Sequence, residues 1–298
     1  DLKKLYDTDK EVELIINMAK KVEGLVRHIG VHAAGVVIAP NKIINYSPIQ
    51  LDPKGENKII TQYDMHSVDE NNAGLLKFDF LGIKNLTILK TALNIVKKRY
   101  GININIEEIN LEDKKTFELL SLGETMGLFQ LNGTGMTKFL KDLMPTSIYD
   151  INAMIALYRP GPIENIPIYI ERKKNNNLVS YLYDDKNLKE ILEKTFGVLV
   201  YQDDLLLMSI KIAGYSWGEA DKFRKAISKK IPEEKQKQKE KFINGCINHS
   251  KWPQKKAEEL WKWIEPFASY GFNKAHSASY GRVAYQTAYM KANYPVAF

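Results

Sequence analysis

The sequence predicts an α+β chain, mainly helical, in which one helix is followed by a small sheet and then by a long helical region. Three observations carry this. Between residues 8 and 23 apolar side chains recur at helical spacing. From His32 to Lys84 the apolar runs are short, β-branched or aromatic, and punctuated by Gly, Pro and Asn. From residue 85 onward the helical spacing returns and persists. With 298 residues, 44% hydrophobic and 27% charged, the chain is large enough for two or more cores, which excludes disordered and fibrous classes. No internal repeat period is present.

In TDKEVELIINMAKKVE (8–23), Thr8 and Glu11 read as a capping box ahead of Val12, Ile15, Ile16 and Met18. HAAGVVIAP, NKIITQYDM and AGLLKFDFLG then predict strands. In LLKFDFLGI (75–83), strand alternation puts Leu76, Phe78 and Phe80 on one face and Lys77 and Asp79 on the other. At roughly 3.3 Å per residue the two charges stand about 7 Å apart, close enough to act on one ligand; a solvated edge strand is the ordinary alternative. NLTILKTALNIVKKRYG (85–101) carries Leu86, Leu89, Leu93 and Val96 at helical spacing and stops at Gly101. SIYDINAMIALYRPG begins with a Ser147–Asp150 cap pair and is broken by Pro160. NLKEILEKTFG, SWGEADKFRKAISKK, PQKKAEELWKWIEPF and the stretch 277–293 repeat the scheme. The charge run KKIPEEKQKQKEK (229–241) has Pro232 where a helix begins and reads as a solvated helix face.

Forty-three Lys and Arg against 36 Asp and Glu give a net charge of +7, an excess that suits a polyanionic partner. The lone cysteine, Cys246, excludes a disulfide framework and a cysteine-based zinc site and points to a reducing, cytoplasmic setting. No run of about 18 apolar residues exists for a membrane span. The absence of an initiator Met or signal pattern, and the helical sequence running into NYPVAF without a cap, lead us to expect an internal piece of a longer chain. GxxxxGK[ST], GxGxxG, HExxH and GxSxG motifs are all missing, which removes the common ATPase, dinucleotide, zinc-protease and hydrolase readings.

Several stretches put a cation or imidazole beside small residues. Arg159 precedes Pro160-Gly161-Pro162, which would hold a guanidinium rigidly for phosphate contact, or would let it cap its own helix. Arg224 and Lys225 form an adjacent basic pair beside core-facing Phe223 and Ile227. In GFNKAHSAS, Gly271 and Asn273 suggest a turn that gathers Lys274, His276 and Ser277 at a helix start, where a triphosphate would fit. His32 reads as a packed histidine satisfying backbone groups. Tyr201, Gln202, Asp203 and Asp204 could line a cleft, with Asp203 alternatively capping the helix that follows.

Taken in order, RHIGVHAAGVVIAP, TQYDM, GLLKFDFLGIKNLTIL, GLFQLNGTGM, YRPGP, FGVLVYQ, ADKFRKA and YGFNKAHSASY resemble the bacterial C-family replicative DNA polymerases, the family of the DNA polymerase III alpha subunit. The resemblance covers nearly the whole chain with the motifs in family order. It implies that residues 1–33 end a helical thumb, that 34–84 are the C-terminal half of a palm of the polymerase-beta-like nucleotidyltransferase type, and that 85–298 belong to the helical fingers. It implies template-directed addition of a dNMP from a dNTP to a primer 3′ hydroxyl by a two-metal mechanism. Asp79 would be one of three carboxylates binding two Mg2+ ions, with the other ligands upstream and no counterpart here, so the fragment alone is expected to be inactive. By the same resemblance Lys77 meets primer or nucleotide, Arg159, Arg224, Lys225, Lys274, His276 and Ser277 face the nucleotide, and Lys77, Tyr201 and Gln202 contact DNA. Primer–template DNA, dNTP, a sliding clamp and other replisome subunits are the implied partners. VYQDD and FQLNG depart from the family's YQEQ and FQLES or FQLEG, so no role is carried to Asp204 or Asn132. A noncatalytic basic nucleic-acid-binding module is the rival reading, and a small-molecule phosphotransferase a third.

Overall fold

The computed structural model describes residues 2–55, 57–69, 72–228, 232–268 and 270–298, and it divides into two compact units, 1–82 and 83–298. The fold is α+β and mainly helical.

The first unit opens with helices α1 (Leu2–Thr8) and α2 (Lys10–Val22). The capping box expected at Thr8 and Glu11 does not form. Thr8 ends α1, its hydroxyl donating to the Lys4 carbonyl at 2.8 Å. Asp9 caps α2 instead, its extended backbone letting one carboxylate oxygen accept from Glu11 N (2.9 Å) and Val12 N (3.3 Å). The expected sheet is two separate antiparallel ladders. Strands β1 (Gly35–Ile38) and β4 (Leu76–Asp79) form one; β2 (Ile49–Leu51), which the sequence did not mark, pairs with β3 (Ile59–Thr61) in the other. The short α3 (Met65–Val68) between them is capped by Asp64.

The β1–β4 register sets Gly35 opposite Asp79, Val36 opposite Phe78, Val37 opposite Lys77 and Ile38 opposite Leu76. Alternation is therefore as the sequence implied, with both charges on one face. The other face, Val36, Ile38, Leu76, Phe78 and Phe80, is bare, each residue 47% to 68% exposed.

The second unit is helical throughout its regular structure: α4 (Lys84–Tyr100), α5 (Lys114–Leu122), α6 (Thr134–Leu143), α7 (Ile148–Leu157), α8 (Ile166–Lys174), α9 (Lys186–Leu192), α10 (Gln202–Lys211), α11 (Trp217–Ser228), α12 (Pro232–Ser250), α13 (Gln254–Phe267) and α14 (Lys274–Asn293). Helix α4 ends at Gly101, whose φ of 69° lies in the left-handed region. Residues 229–231 of the predicted charge run lie outside the described residues.

Two large cores organise this unit. In the first, α14 packs on α5 and α7 around Leu120, Leu140, Ile151, Tyr169 and Tyr285, while α4 meets α14 in a smaller cluster of Leu89, Ala92, Val96 and Met290. Close approach of α14 to α7 requires Gly281, because a Cβ there would stand 1.8 Å from Asn152 Oδ1. Helix α7 starts with the Ser147–Asp150 capping box the sequence predicted. Asp150 is also a buried junction: Oδ2 accepts from Thr146 N, Ser147 N and Lys173 Nζ, the last at 2.9 Å, and Oδ1 accepts from the Tyr169 hydroxyl at 3.1 Å. The second core, from α9 to α13, is built on Phe223, Phe242 and Trp261, with the two phenyl rings stacked at 5.3 Å. Cys246 lies inside it, and burial pushes its thiol up to about 12. Among the described residues no helix is long and apolar enough to cross a membrane.

Candidate functional site

In the first unit, Asp79 Oδ1 accepts from Lys77 Nζ at 2.6 Å, and His32 Nδ1 lies 3.9 Å from the same oxygen. Lys77 holds the Asp79 carboxyl below its ordinary value, so it is ionised at neutral pH. His32 Nδ1 itself accepts from Gly35 N (2.7 Å) and Ala34 N (3.2 Å), which assigns the ring proton to Nε2. The expected packed histidine is thus half right: it satisfies backbone groups, yet its side chain is 44% exposed. Gly35 makes the arrangement possible, since a Cβ there would fall 2.9 Å from His32 Nδ1 and 3.3 Å from Asp79 Oδ1. Three groups able to hold or orient a charged ligand therefore share an open strand face. They do not form a complete metal centre: among the described residues no three His, Cys, Asp or Glu side chains gather to hold an ion.

In the second unit the residues around Arg159 converge. Its Nε donates to the Ala156 carbonyl at 3.2 Å, as a helix cap, and its Nη2 donates to the Tyr270 carbonyl at 2.9 Å. The guanidinium carbon stands 4.3 Å from the centre of the Phe272 ring, a cation–π contact. Desolvation draws its pKa below the ordinary value, and an arginine stays charged regardless. Beyond Phe272 the ring contacts continue edge-on to His276 (5.4 Å) and then, tilted, to Tyr280 (4.1 Å). The helix start that the sequence suggested is present, with Asn273 capping α14 by accepting from His276 N at 2.7 Å, and Lys274 and His276 stand exposed on its first turn.

Other expected members are placed differently. Ser277 is fully buried, its hydroxyl donating to the Asn152 carbonyl at 2.7 Å, because it sits one turn into α14 on the side that packs against α7. It offers a nucleotide nothing in this geometry. Tyr201, expected to touch DNA, is 5% exposed and lies in the first core, where burial raises its phenol pKa and Lys274 Nζ lies 5.5 Å over its ring. Gln202 is half-buried, and its backbone N donates to the Phe272 carbonyl at 2.9 Å. Arg224 and Lys225 lie on α11 and both pair with Asp221, at 2.8 and 2.9 Å. The aromatic side of the site, Tyr270, Phe272 and Tyr280, was missed by reasoning from charged residues; its signal was the recurring aromatic in YGFNKAHSASYG.

The acidic pair is also exchanged. Asp203 accepts from Lys274 N at 3.1 Å, so it anchors α14, while Asp204 caps α10 by accepting from Tyr201 N (2.9 Å) and Val200 N (3.3 Å). Burial raises the Asp204 carboxyl from 3.8 to about 6. An acid raised in the folded state binds a proton the unfolded chain has released, so its stabilising share is complete below 3.8 and is lost as pH rises through about 6. The parent should lose on the order of 3 kcal/mol across that window relative to Asp204→Asn, in denaturation midpoints measured at several pH values. Parallel pH profiles for the two would contradict the assignment.

Two family models match this chain. The bacterial DNA polymerase III alpha subunit finger domain matches residues 85–250, and the bacterial DNA polymerase III alpha NTPase domain matches residues 1–82. The chain belongs to the bacterial DNA polymerase III alpha subunit family. It is 45% identical to the DNA polymerase III subunit alpha of Thermus aquaticus over 100% of this chain and 24% of that protein. Identity is 44% to the Aquifex aeolicus subunit, over 99% of this chain and 25% of that protein, and 40% to the Escherichia coli K12 subunit, over 100% and 26%. The chain thus spans about a quarter of the length of the curated relatives it matches. The Asp79 cluster falls in the stretch matched by the NTPase-domain model, and the stretch matched by the finger-domain model takes in Arg159 but ends before Phe272 and His276.

Proposed function

We propose that this chain is a segment of a cytoplasmic replicative DNA polymerase catalytic subunit, adding dNMP from dNTP to a primer 3′ hydroxyl under template direction. The observation that carries this reading is the grouping of ionised Asp79 with Lys77 on one open strand face, with His32 brought beside them from the segment before β1. In-line phosphoryl transfer demands positioning and charge neutralisation rather than covalent chemistry. Lys77 supplies a cation beside the reacting phosphates, and the carboxylate of Asp79 orients it. The two Mg2+ ions of such a reaction would supply charge neutralisation at the transferred phosphate. Asp79 suits one ligand position, but the described residues do not fit the pair of ions, and the remaining ligands must come from elsewhere in a longer chain. The 298-residue chain alone is accordingly inactive. Residues 1–33 end the thumb, 34–84 form the second half of the palm and 85–298 the fingers, with the sliding clamp and other replisome subunits engaged through other parts of the parent.

In the fingers, Arg159, Lys274 and His276 face the nucleotide, and Arg224 and Lys225 reach it or its DNA on exchanging Asp221 for phosphate. Arg159→Lys cannot keep both carbonyl contacts and the stack on Phe272, so it should raise the KM for nucleotide about tenfold. An unchanged KM with lowered stability would make Arg159 a helix cap only. The function itself is tested by single-nucleotide incorporation on a primed template with the full-length chain. Incorporation that requires the matched dNTP and magnesium supports it. Binding that weakens steeply with salt and ignores both would leave a noncatalytic nucleic-acid module.

A further inference from the structure

A cleft of about 430 Å3 opens in the second unit between α8, the turn at 180–182 and α13, and nothing above uses it. Its size is that of a small-ligand site. Tyr181, Trp263, Phe267 and Tyr270 line it together with Arg172 and Lys262, and among the described residues no carboxylate does. Arg172 is fixed there: Nη1 donates to the carbonyls of Phe196 (3.2 Å) and Gly197 (3.0 Å), and Nη2 to Ser180 Oγ (3.1 Å). Gly197, at φ 74°, permits this, since a Cβ would fall 2.6 Å from the Ser180 carbonyl oxygen. Of the four tryptophans, Trp261 and Trp252 are buried at 1% and 7%, whereas Trp263 is half-buried at the cleft wall. Tyr270 joins the cleft to the Arg159 cluster, for its ring lines the one and its carbonyl holds the other.

Aromatic walls with one fixed guanidinium, an exposed lysine and no acid suit a flat ring carrying an anionic group. We propose that the cleft holds one unpaired nucleotide of a single DNA strand, its base against Trp263 and its phosphate toward Lys262 and Arg172. The choice of a nucleotide over another aromatic anion rests on the polymerase reading. The strand is favoured over a free nucleotide because Tyr270, which lines the cleft, also holds Arg159 through its carbonyl, so a further cation stands one residue from the cleft wall for an adjacent phosphate.

The test is anisotropy of a fluorescein-labelled oligodeoxythymidylate with the full-length chain, alongside primer extension. Trp263→Ala should weaken binding about tenfold with the salt slope unchanged, and Trp263→Phe should hold it within about threefold. Lys262→Ala should lower the slope of log K against log salt by about one. Deoxythymidine monophosphate should compete only weakly; competition at the oligonucleotide's own concentration would make this a free-nucleotide site and overturn the strand assignment. Parental affinity in Trp263→Ala and Lys262→Ala, with primer extension intact, would overturn the inference and leave the polymerase reading standing. Failure of the parent to extend primers at all would instead strike that reading.

Discussion

Asp79→Asn in the full-length chain should lower single-nucleotide incorporation by about three orders of magnitude while leaving primer–template affinity within about twofold. The amide is isosteric, and its oxygen can still accept from Lys77, which now donates to Asp79 at 2.6 Å. Neither the β1–β4 ladder nor the space kept by Gly35 depends on the charge, since the ladder is made by backbone groups and the side chain is 43% exposed. The substitution therefore removes one negative charge and little else. Magnesium titration of both proteins provides a second reading, with a higher demand for the ion expected in the variant. An Asn variant that extends primers as well as its parent would reduce the KFDF strand to scaffolding and defeat the catalytic assignment.

Asp150→Ala should be the most damaging single change to the second unit, lowering its stability by about 3–5 kcal/mol in chemical denaturation. The side chain is 2% exposed and receives four partners: two backbone N–H groups at the start of α7, the Lys173 ammonium and the Tyr169 hydroxyl. Truncation leaves the phenol without its acceptor in an apolar interior, leaves the amine only the Leu143 and Met144 carbonyls, and removes the helix cap at the same stroke. Asp150→Asn keeps acceptors but not the charge, and should cost less. Because α7 ends at Leu157, just before the Tyr158–Arg159 turn, loosening its start should also disturb the Arg159 cluster at its other end. An Ala variant that unfolds at the same denaturant concentration as its parent would show that Lys173, which also reaches the Leu143 and Met144 carbonyls, carries the junction without it.

Much of this was legible in sequence where the cause is local. Helix α4 stops at Gly101, α7 starts at the Ser147–Asp150 box, α12 starts at Pro232, and the strand alternation of β4 groups Lys77 with Asp79, each determined by residues within one turn or one ladder step. What escaped was decided by partners distant in sequence. Nothing near Ser277 announces that α7 covers it, and nothing near Asp203 announces that Lys274 N lies within reach. The cap at Asp9 rather than Thr8 is a local error of another kind: two good capping residues stand side by side, and spacing alone does not choose between them. Strand β2 was missed because three residues are too few to show a period.

The meeting of Tyr201 with Phe272 has a consequence for how such chains can vary. These two segments form a parallel bridge, Gln202 N donating to the Phe272 carbonyl, and Asp203 fastens the start of α14 beside it. Most of the second core, from α10 to α13, lies between these two segments, and α9 joins it from the chain before them. Tyr270, just before that seam, carries the carbonyl that holds Arg159, so a change of length between α10 and α13 is silent only where it leaves the seam and the Arg159 corner in register.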